Sequence, residues 1–247
     1  MEYLVLPKRI EAKVSRGAIT FGLCSLPFVC ILIAIGISFG LMTFGKKPSI
    51  ERGAELAHRM NSMDFHSIPP RYSPTNKLPA TPYALHVVVE TPKGARQKYA
   101  LSEDYGVFEW SRTLPAGLMW PCDFGFVPQT LAEDGDPLDA CLLIEAGTFP
   151  GCLVASRLVG VIGYRKNGVA NDRLIAVPVT KAGAGSHWSE VGDIGDLSDR
   201  ILREIEGFLL AYNEFEGHEV EVTGRFGRDY ANELVERAVE MYQRDGE

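Results

Sequence analysis

Three aspartates crowded into six residues, Asp134, Asp136 and Asp139 in the run EDGDPLDA, constrain this chain more than any other feature. Their carboxylates repel one another, so a fold that holds them together needs a cation among them. Carboxylate oxygens are hard ligands, best suited to hard divalent ions such as Mg2+ or Mn2+. Pro137 fixes its own φ and stiffens the turn that carries them. The run reads as the floor of a metal site for phosphoryl chemistry, with a solvated Asp/Gly/Pro turn as the plain alternative. An EF-hand loop is excluded. Glu145 falls at the twelfth position from Asp134, but the fifth is Leu138, and Asp139 stands at the sixth, where that loop requires glycine.

A second feature lies at the amino terminus. No charged residue occurs from Gly17 to Gly45, and Phe21 to Phe44 is mostly Leu, Ile, Phe, Val, Gly and Ala. A helix of about 20 apolar residues crosses a bilayer core, so residues 18–45 are expected to form a transmembrane helix. A secretory signal is the rival, with an apolar region of only about 7–15 residues before a small-residue cleavage site. A start at Met42 would remove the span altogether. Lys8, Arg9, Lys13 and Arg16 precede the span, while Lys46, Lys47 and Arg52 follow it, so the positive-inside rule slightly favours an internal amino terminus, which taken alone would put the folded domain outside. The expected divisions are a flank (1–17), the span (18–45), a linker with an amino-terminal arm (46–80) and a folded domain (81–247).

From residue 46 onward there are 21 Lys and Arg against 30 Asp and Glu, a net charge of −9. That balance argues against nucleic-acid binding. Cys24 and Cys30 lie in the apolar span, and Cys122, Cys141 and Cys152 are scattered without CxxC or Cys/His spacing. Neither a zinc site nor a disulfide framework has support.

Short runs rich in β-branched and aromatic residues, punctuated by Gly, Pro and Asp, begin at residue 83. They are ALHVVVE, QKYAL, GVFEWSRTL, ACLLIEA, the long CLVASRLVGVIGYR, and RLIAVPVT. Two segments of helical period follow. Leu197, Ile201, Leu202, Ile205, Phe208, Leu209 and Tyr212 form one stripe, and Tyr230, Leu234, Ala238 and Tyr242 are expected to form another. The strand EVEVTG separates them. Many short strands followed by helices predict an α+β domain, a small closed β-barrel with two outer helices.

Several motifs together resemble family I soluble inorganic pyrophosphatases: VVVETPKG, QKYA, SRTLPAG, WPCDFGFVP, DGDPLD, CLVASRLVGV, NDRLIAVPV and the late helix with AYN. The resemblance spans residues 80 to 245 and implies a closed five-stranded, OB-like barrel. It implies hydrolysis of pyrophosphate to two phosphates with Mg2+, or with Mn2+. The resemblance assigns Asp134, Asp136 and Asp139 to the activating metals, with Asp136 also orienting or deprotonating the attacking water. It assigns Lys98, Arg112, Tyr212 and Arg173 to phosphate, and Glu90 and Asp172 to the metal set. Members of the family commonly assemble as dimers or hexamers, so a homo-oligomer is expected. The domain is expected to face the cytoplasm, where pyrophosphate is released.

The departures are as specific as the matches. Better-known members carry an acid two places after the lysine, where this chain has Ala100. They carry two tyrosines where this chain has Trp120 and Phe124. Their acidic cluster before RLIAVPV is reduced to Asp172, with Asn171 in the acid's place if the strand is held fixed. Arg173 replaces a lysine, and Asn213 replaces the lysine after the late tyrosine. Two competing readings follow from these changes: a hydrolase of another phosphoanhydride or polyphosphate, and a metal- and phosphate-binding module at the membrane without turnover.

Overall fold

A computed structural model describes residues 65–71, 84–102, 104–180 and 187–245, all within one compact unit, Leu56–Glu247. The expected transmembrane helix (18–45), its flank and most of the linker lie outside the described residues. No helix among the described residues is long and apolar enough to cross a membrane.

Nine strands and two helices make up the domain. The strands are β1 (Ala84–Thr91), β2 (Gln97–Ser102), β3 (Val107–Thr113), β4 (Asp123–Phe126), β5 (Asp139–Leu142), β6 (Leu153–Lys166), β7 (Val169–Ala170), β8 (Arg173–Pro178) and β9 (Val220–Gly227). The helices are α1 (Asp199–Phe215) and α2 (Arg228–Asp245). Five strands run in the order β1-β4-β5-β8-β6, and β6 pairs back onto β1, which closes the expected barrel. All neighbours in the ring are antiparallel except β5 and β8. Strand β6 changes partner along its length. Leu153–Arg157 pair with β1, and from Gly160 onward the same edge pairs with β9. Strands β2 and β3 form a separate hairpin.

Period-2 alternation sorts the core. In β8, Leu174 and Ala176 join Leu85, Val87 and Leu142 in one cluster, while Ile175 and Val177 join a second cluster beneath α1. Because both faces of this strand are covered, RLIAV is buried throughout, which explains its unbroken apolar run. A register shift between Leu158 and Gly160 lets Leu158 and Val161, three residues apart, share the first cluster.

Ser198 caps α1, its hydroxyl accepting from the Ile201 N–H, and Gly217 ends the helix with φ +78°. The expected stripe of α1 is buried from Leu202 to Tyr212. That of α2 is not. Its buried residues are Ala231, Val235 and Ala238, with Leu234 and Val239 packed beside them, whereas Tyr230 is 37% exposed. Small side chains let this helix lie close on the strands, so bulk was a poor guide to its inner face. Within the described part of the arm, Phe65 is buried and packs edge-on against Phe108 and Phe126, at 5.3 and 6.3 Å between ring centroids.

Strand β4, absent from the sequence expectation, is only four residues long and lies between β1 and β5. At its centre Gly125 crosses β1 so closely that a Cβ would overlap the Val88 carbonyl. Gly125→Ala is therefore expected to destabilise the domain by about 2–3 kcal/mol, the usual scale for overpacking. A urea midpoint within experimental error of the parent's would refute this account of the crossing.

Candidate active site

A cavity of about 800 Å3 opens at one end of the barrel. Its lining comes from separate elements: Glu90 from β1, Lys98 and Ala100 from β2, Arg112 from β3, and Asp134, Asp136 and Asp139 from the acidic loop and the start of β5. Lys166, Asn171 and Arg173 enter from the other side, and Tyr212 and Asn213 from α1.

The acidic loop is built locally. Val127 N–H donates to the Leu138 carbonyl (2.9 Å) and closes its neck. The Thr130 hydroxyl donates to the Val127 carbonyl (2.6 Å) and accepts from the Leu138 N–H (3.0 Å). Gly135 supplies the turn at φ +90°, a conformation that favours glycine, and its N–H donates to the Ala132 carbonyl. Leu131 N–H donates to the Ala238 carbonyl and fastens the loop to α2.

The parallel register of β5 and β8 pairs Ala140 with Leu174, so Asp139 and Arg173 stand side by side as the first residues of their strands. Arg173 Nη1 lies 2.5 Å from Asp139 Oδ2 and also donates to the Asn171 carbonyl (2.8 Å). The guanidinium sits 5.7 Å from the Phe124 ring centroid and 5.3 Å from that of Tyr164. Expected as a phosphate ligand, Arg173 is buried and committed to Asp139. Opposite it, Lys98 and Arg112 are direct cross-strand partners in the β2–β3 hairpin. Like charges in that relation destabilise a sheet, which makes the pairing a sign of function. Arg112 is ion-paired with Glu216 at the carboxyl end of α1, and Lys98 Nζ lies 5.7 Å from the Tyr212 ring centroid.

Alternation separates Asn171 from Asp172. Residues 171 and 173 face the cavity, and Asp172 does not line it; its Oδ1 accepts the Tyr164 N–H (2.9 Å). Asn171 Nδ2 donates instead to Asp134 Oδ2. The expected ligand Asp172 is thus occupied with β6, and we leave it out of the metal set. Trp120 and Phe124 stack in an aromatic wall with Phe208 and Tyr212 (Trp120 centroids at 4.7, 4.8 and 5.6 Å). Asn213 is buried, with Nδ2 on the Leu209 carbonyl (2.9 Å) and its own carbonyl accepting from Glu216 and His218. It lies in the last turn of α1 and offers no charge. Lys166 was not singled out from the sequence, and Asp123 was overlooked as well. Buried Asp123 accepts from the N–H of Lys93 and from the N–H and hydroxyl of Thr148, and so ties β4 to its flanking loops.

The carboxyl groups suit a hard cation. Burial raises the pKa of Asp139 and of Asp134; the Asp136 N–H donated to Asp134 opposes the shift there, and the Asp136 carboxylate repels both. Burial pushes the carboxyl of Glu90 up to about 7 against one opposing hydrogen bond, from the Leu101 N–H (3.1 Å). A divalent ion would stabilise each ionised form. Asn171 Oδ1 is a buried oxygen without a hydrogen-bond partner, a further hard donor. These residues share a cavity without forming a closed ligand set. Among the described residues, no three His, Cys, Asp or Glu side chains are drawn together tightly enough to hold one ion. Asp134 is turned to Asn171 and Asp139 to Arg173, which accounts for that spacing.

A sequence model for inorganic pyrophosphatase matches residues 87–243. The inorganic pyrophosphatase of Synechocystis sp. is 33% identical over 170 residues, 68% of this chain and 98% of the relative. That of Haloferax volcanii is 34% identical over 166 residues, 67% and 92% of the two chains. The crystal structure of inorganic pyrophosphatase from Thermus thermophilus aligns with a TM-score of 0.64 at 31% identity, covering 72% of this chain and 98% of that one.

Glu90 gives the metal-free protein a defined pH dependence. Its folded-state pKa of about 7 lies above the ordinary 4.5, so the folded form binds the proton more tightly. That stabilisation is complete below pH 4.5 and lost as pH rises through 7, by at most about 3 kcal/mol. Asp134 and Asp139 act in the same direction. In EDTA the urea midpoint is expected to fall from pH 5 to pH 7.5, and Glu90→Gln to flatten that slope. An unaltered slope in the variant would remove Glu90 from the account.

Proposed function

The chain belongs to the family I inorganic pyrophosphatases, and from that premise we propose how its cavity hydrolyses pyrophosphate to two phosphates. The observation that carries the reading is the convergence of Asp134, Asp136, Asp139, Lys98 and Arg112, from separate segments, on one cavity. Pyrophosphatases of this family are metal-dependent, and Mg2+ is the ion we assign. Asp134, Asp136 and Asp139 would hold it, with Glu90 and the Asn171 oxygen beside them. Mg2+ bound there would lower the pKa of water and neutralise phosphoryl oxygens.

The remaining work falls to the side chains. Asp136 orients the attacking water and takes its proton as the oxygen adds to phosphorus; the bridging oxygen leaves with the second phosphate. Arg173 holds Asp139 in place, which makes it a positioning residue. Lys98 supplies a point charge and Arg112 a planar fork to the phosphate oxygens, Arg112 exchanging its contact with Glu216 for substrate. Tyr212 offers its hydroxyl from the aromatic wall. Trp120 and Phe124 pack that wall and carry no hydroxyl of their own.

We further propose that residues 18–45 tether the domain to a membrane, with the domain on the cytoplasmic side. The charge-free run from Gly17 to Gly45 supports this reading. In fractionated cells the full chain is expected in the membrane pellet at high salt and in detergent extracts, and a chain starting at Met42 in the supernatant. Full-length protein in the supernatant would refute the tether.

The activity is tested with the full chain in mild detergent. Phosphate release from pyrophosphate is expected with Mg2+ and absent in EDTA. Asp136→Asn should lower kcat by at least about 100-fold, the scale of losing a positioned base. No release from folded protein with Mg2+ or Mn2+ would overturn the assignment.

A further inference from the structure

We propose that Lys166 is a second phosphate-binding lysine of this site, a tethered cation in the lining of the same cavity as Lys98. The inference rests on the reading of the cavity as a pyrophosphate site and adds a residue to it.

Local geometry fixes Lys166. It is the last residue of β6 and pairs with Val169 across a two-residue turn, Asn167-Gly168. Both turn residues have positive φ (52° and 83°), as a type I′ hairpin requires and as Asn-Gly favours. The turn is pinned from outside. Asn167 N–H donates to the Glu219 carbonyl (2.8 Å), Asn167 Oδ1 accepts the Glu219 N–H (3.0 Å), and Asn167 Nδ2 lies 3.2 Å from His218 Nδ1. Strand β9 pairs Val220 with Lys166 on the other edge. The backbone carrying the ammonium is thus held on both sides, and its side chain lines the cavity.

Charge then argues for an anion. Of the four Lys and Arg residues lining the cavity, Arg112 is paired with Glu216 and Arg173 with Asp139, while Lys98 and Lys166 have no ion-pair partner among the described residues. Lys166 lies within electrostatic reach of Lys98 and Arg173, which with burial depress its pKa, while Asp139 and Asp134 act the other way. Two unpaired ammonium groups lining one cavity repel each other unless an anion lies between them. A diphosphate, with several negative oxygens on two phosphorus centres, has the charge to meet both. The hairpin that carries Lys166 brings no acid of its own to the cavity: residues 166–171 include none, and the Asp172 carboxylate faces β6.

The test is calorimetric binding of imidodiphosphate, a non-hydrolysable diphosphate, to the full chain in detergent, in EDTA and in Mg2+. Lys166→Gln is expected to weaken binding at least tenfold in both buffers, and Lys166→Arg to stay within about threefold of the parent. Lys166→Asp should abolish binding in EDTA and recover part of it in Mg2+, since the new carboxylate gives the ion a ligand. Circular dichroism and urea midpoints identify variants that fail to fold, and Lys166→Arg reports on the charge if Lys166→Gln does fail. Folded Lys166→Gln that binds the analogue within twofold of the parent, in both buffers, overturns the proposal. So does Lys166→Arg losing as much as Lys166→Gln. Parent protein that binds the analogue through Lys166 yet releases no phosphate would defeat the hydrolase reading and leave this one standing.

Discussion

Burying a guanidinium costs several kcal/mol unless its charge and hydrogens are met, and Arg173 lies at 6% exposure under the site. Its charge is met by Asp139 and by the faces of Phe124 and Tyr164, and one hydrogen goes to the Asn171 carbonyl. Each partner belongs to a different segment: β5, β4, β6 and the approach to β8. The pair therefore couples barrel register to site geometry. A slip of one residue between β5 and β8 would separate Asp139 from Arg173 and turn each alternate side chain to the wrong face. It would leave a buried charge unpaired, an error that costs about 3–5 kcal/mol. The acidic loop inherits its position from that register, because Asp139 is both its last residue and the first of β5.

Seen from this pair, the departures from the better-known family members form a connected set. Phe124 gives up a hydroxyl and presents a ring to Arg173. Trp120 gives up another and packs against Phe124, Phe208 and Tyr212, so the wall beside Lys98 is aromatic. Ala100 and Asn171 each remove a carboxylate from the lining, and Asn213 removes a cation and turns its side chain back on the Leu209 carbonyl. Fewer carboxylates mean fewer ligands for ions that would travel with the substrate. Lys166 adds positive charge to a lining that has lost acids.

The barrel was legible because its strands are short, β-branched and separated by turn residues, and because α1 has an unambiguous stripe. DGDPLD was legible because three adjacent acids have few structural excuses. Four features were not. Strand β4 hides in WPCDFGFVP, where four residues give no period and Pro and Gly suggest a loop; its burial comes from neighbours on both sides. The inner face of α2 is made of Ala and Val, so the expected stripe met it at Ala238 and Leu234 and missed Ala231 and Val235. Asp172 attracted attention as the surviving acid, yet alternation sends residue 171 into the cavity and residue 172 toward β6. Lys166 escaped because a lysine before Asn-Gly reads as an ordinary hairpin end. Only the pinning of that turn by residues 218–220, far along the chain, gives it a place in the site.

The distribution of charge also bears on how substrate arrives. With a net charge of −9 from residue 46 onward, the domain's field attracts divalent cations and repels free pyrophosphate. That field is screened over about 8 Å at physiological ionic strength, so it governs approach and not the final contacts. A magnesium-complexed diphosphate carries less negative charge and crosses the field more easily than the bare anion. Once it is inside, the balance reverses, since Lys98 and Lys166 lack ion-pair partners among the described residues. The acidic exterior and the two lysines are therefore complementary: the first favours the metal-bound substrate, and the second holds the part of it that the metal leaves exposed.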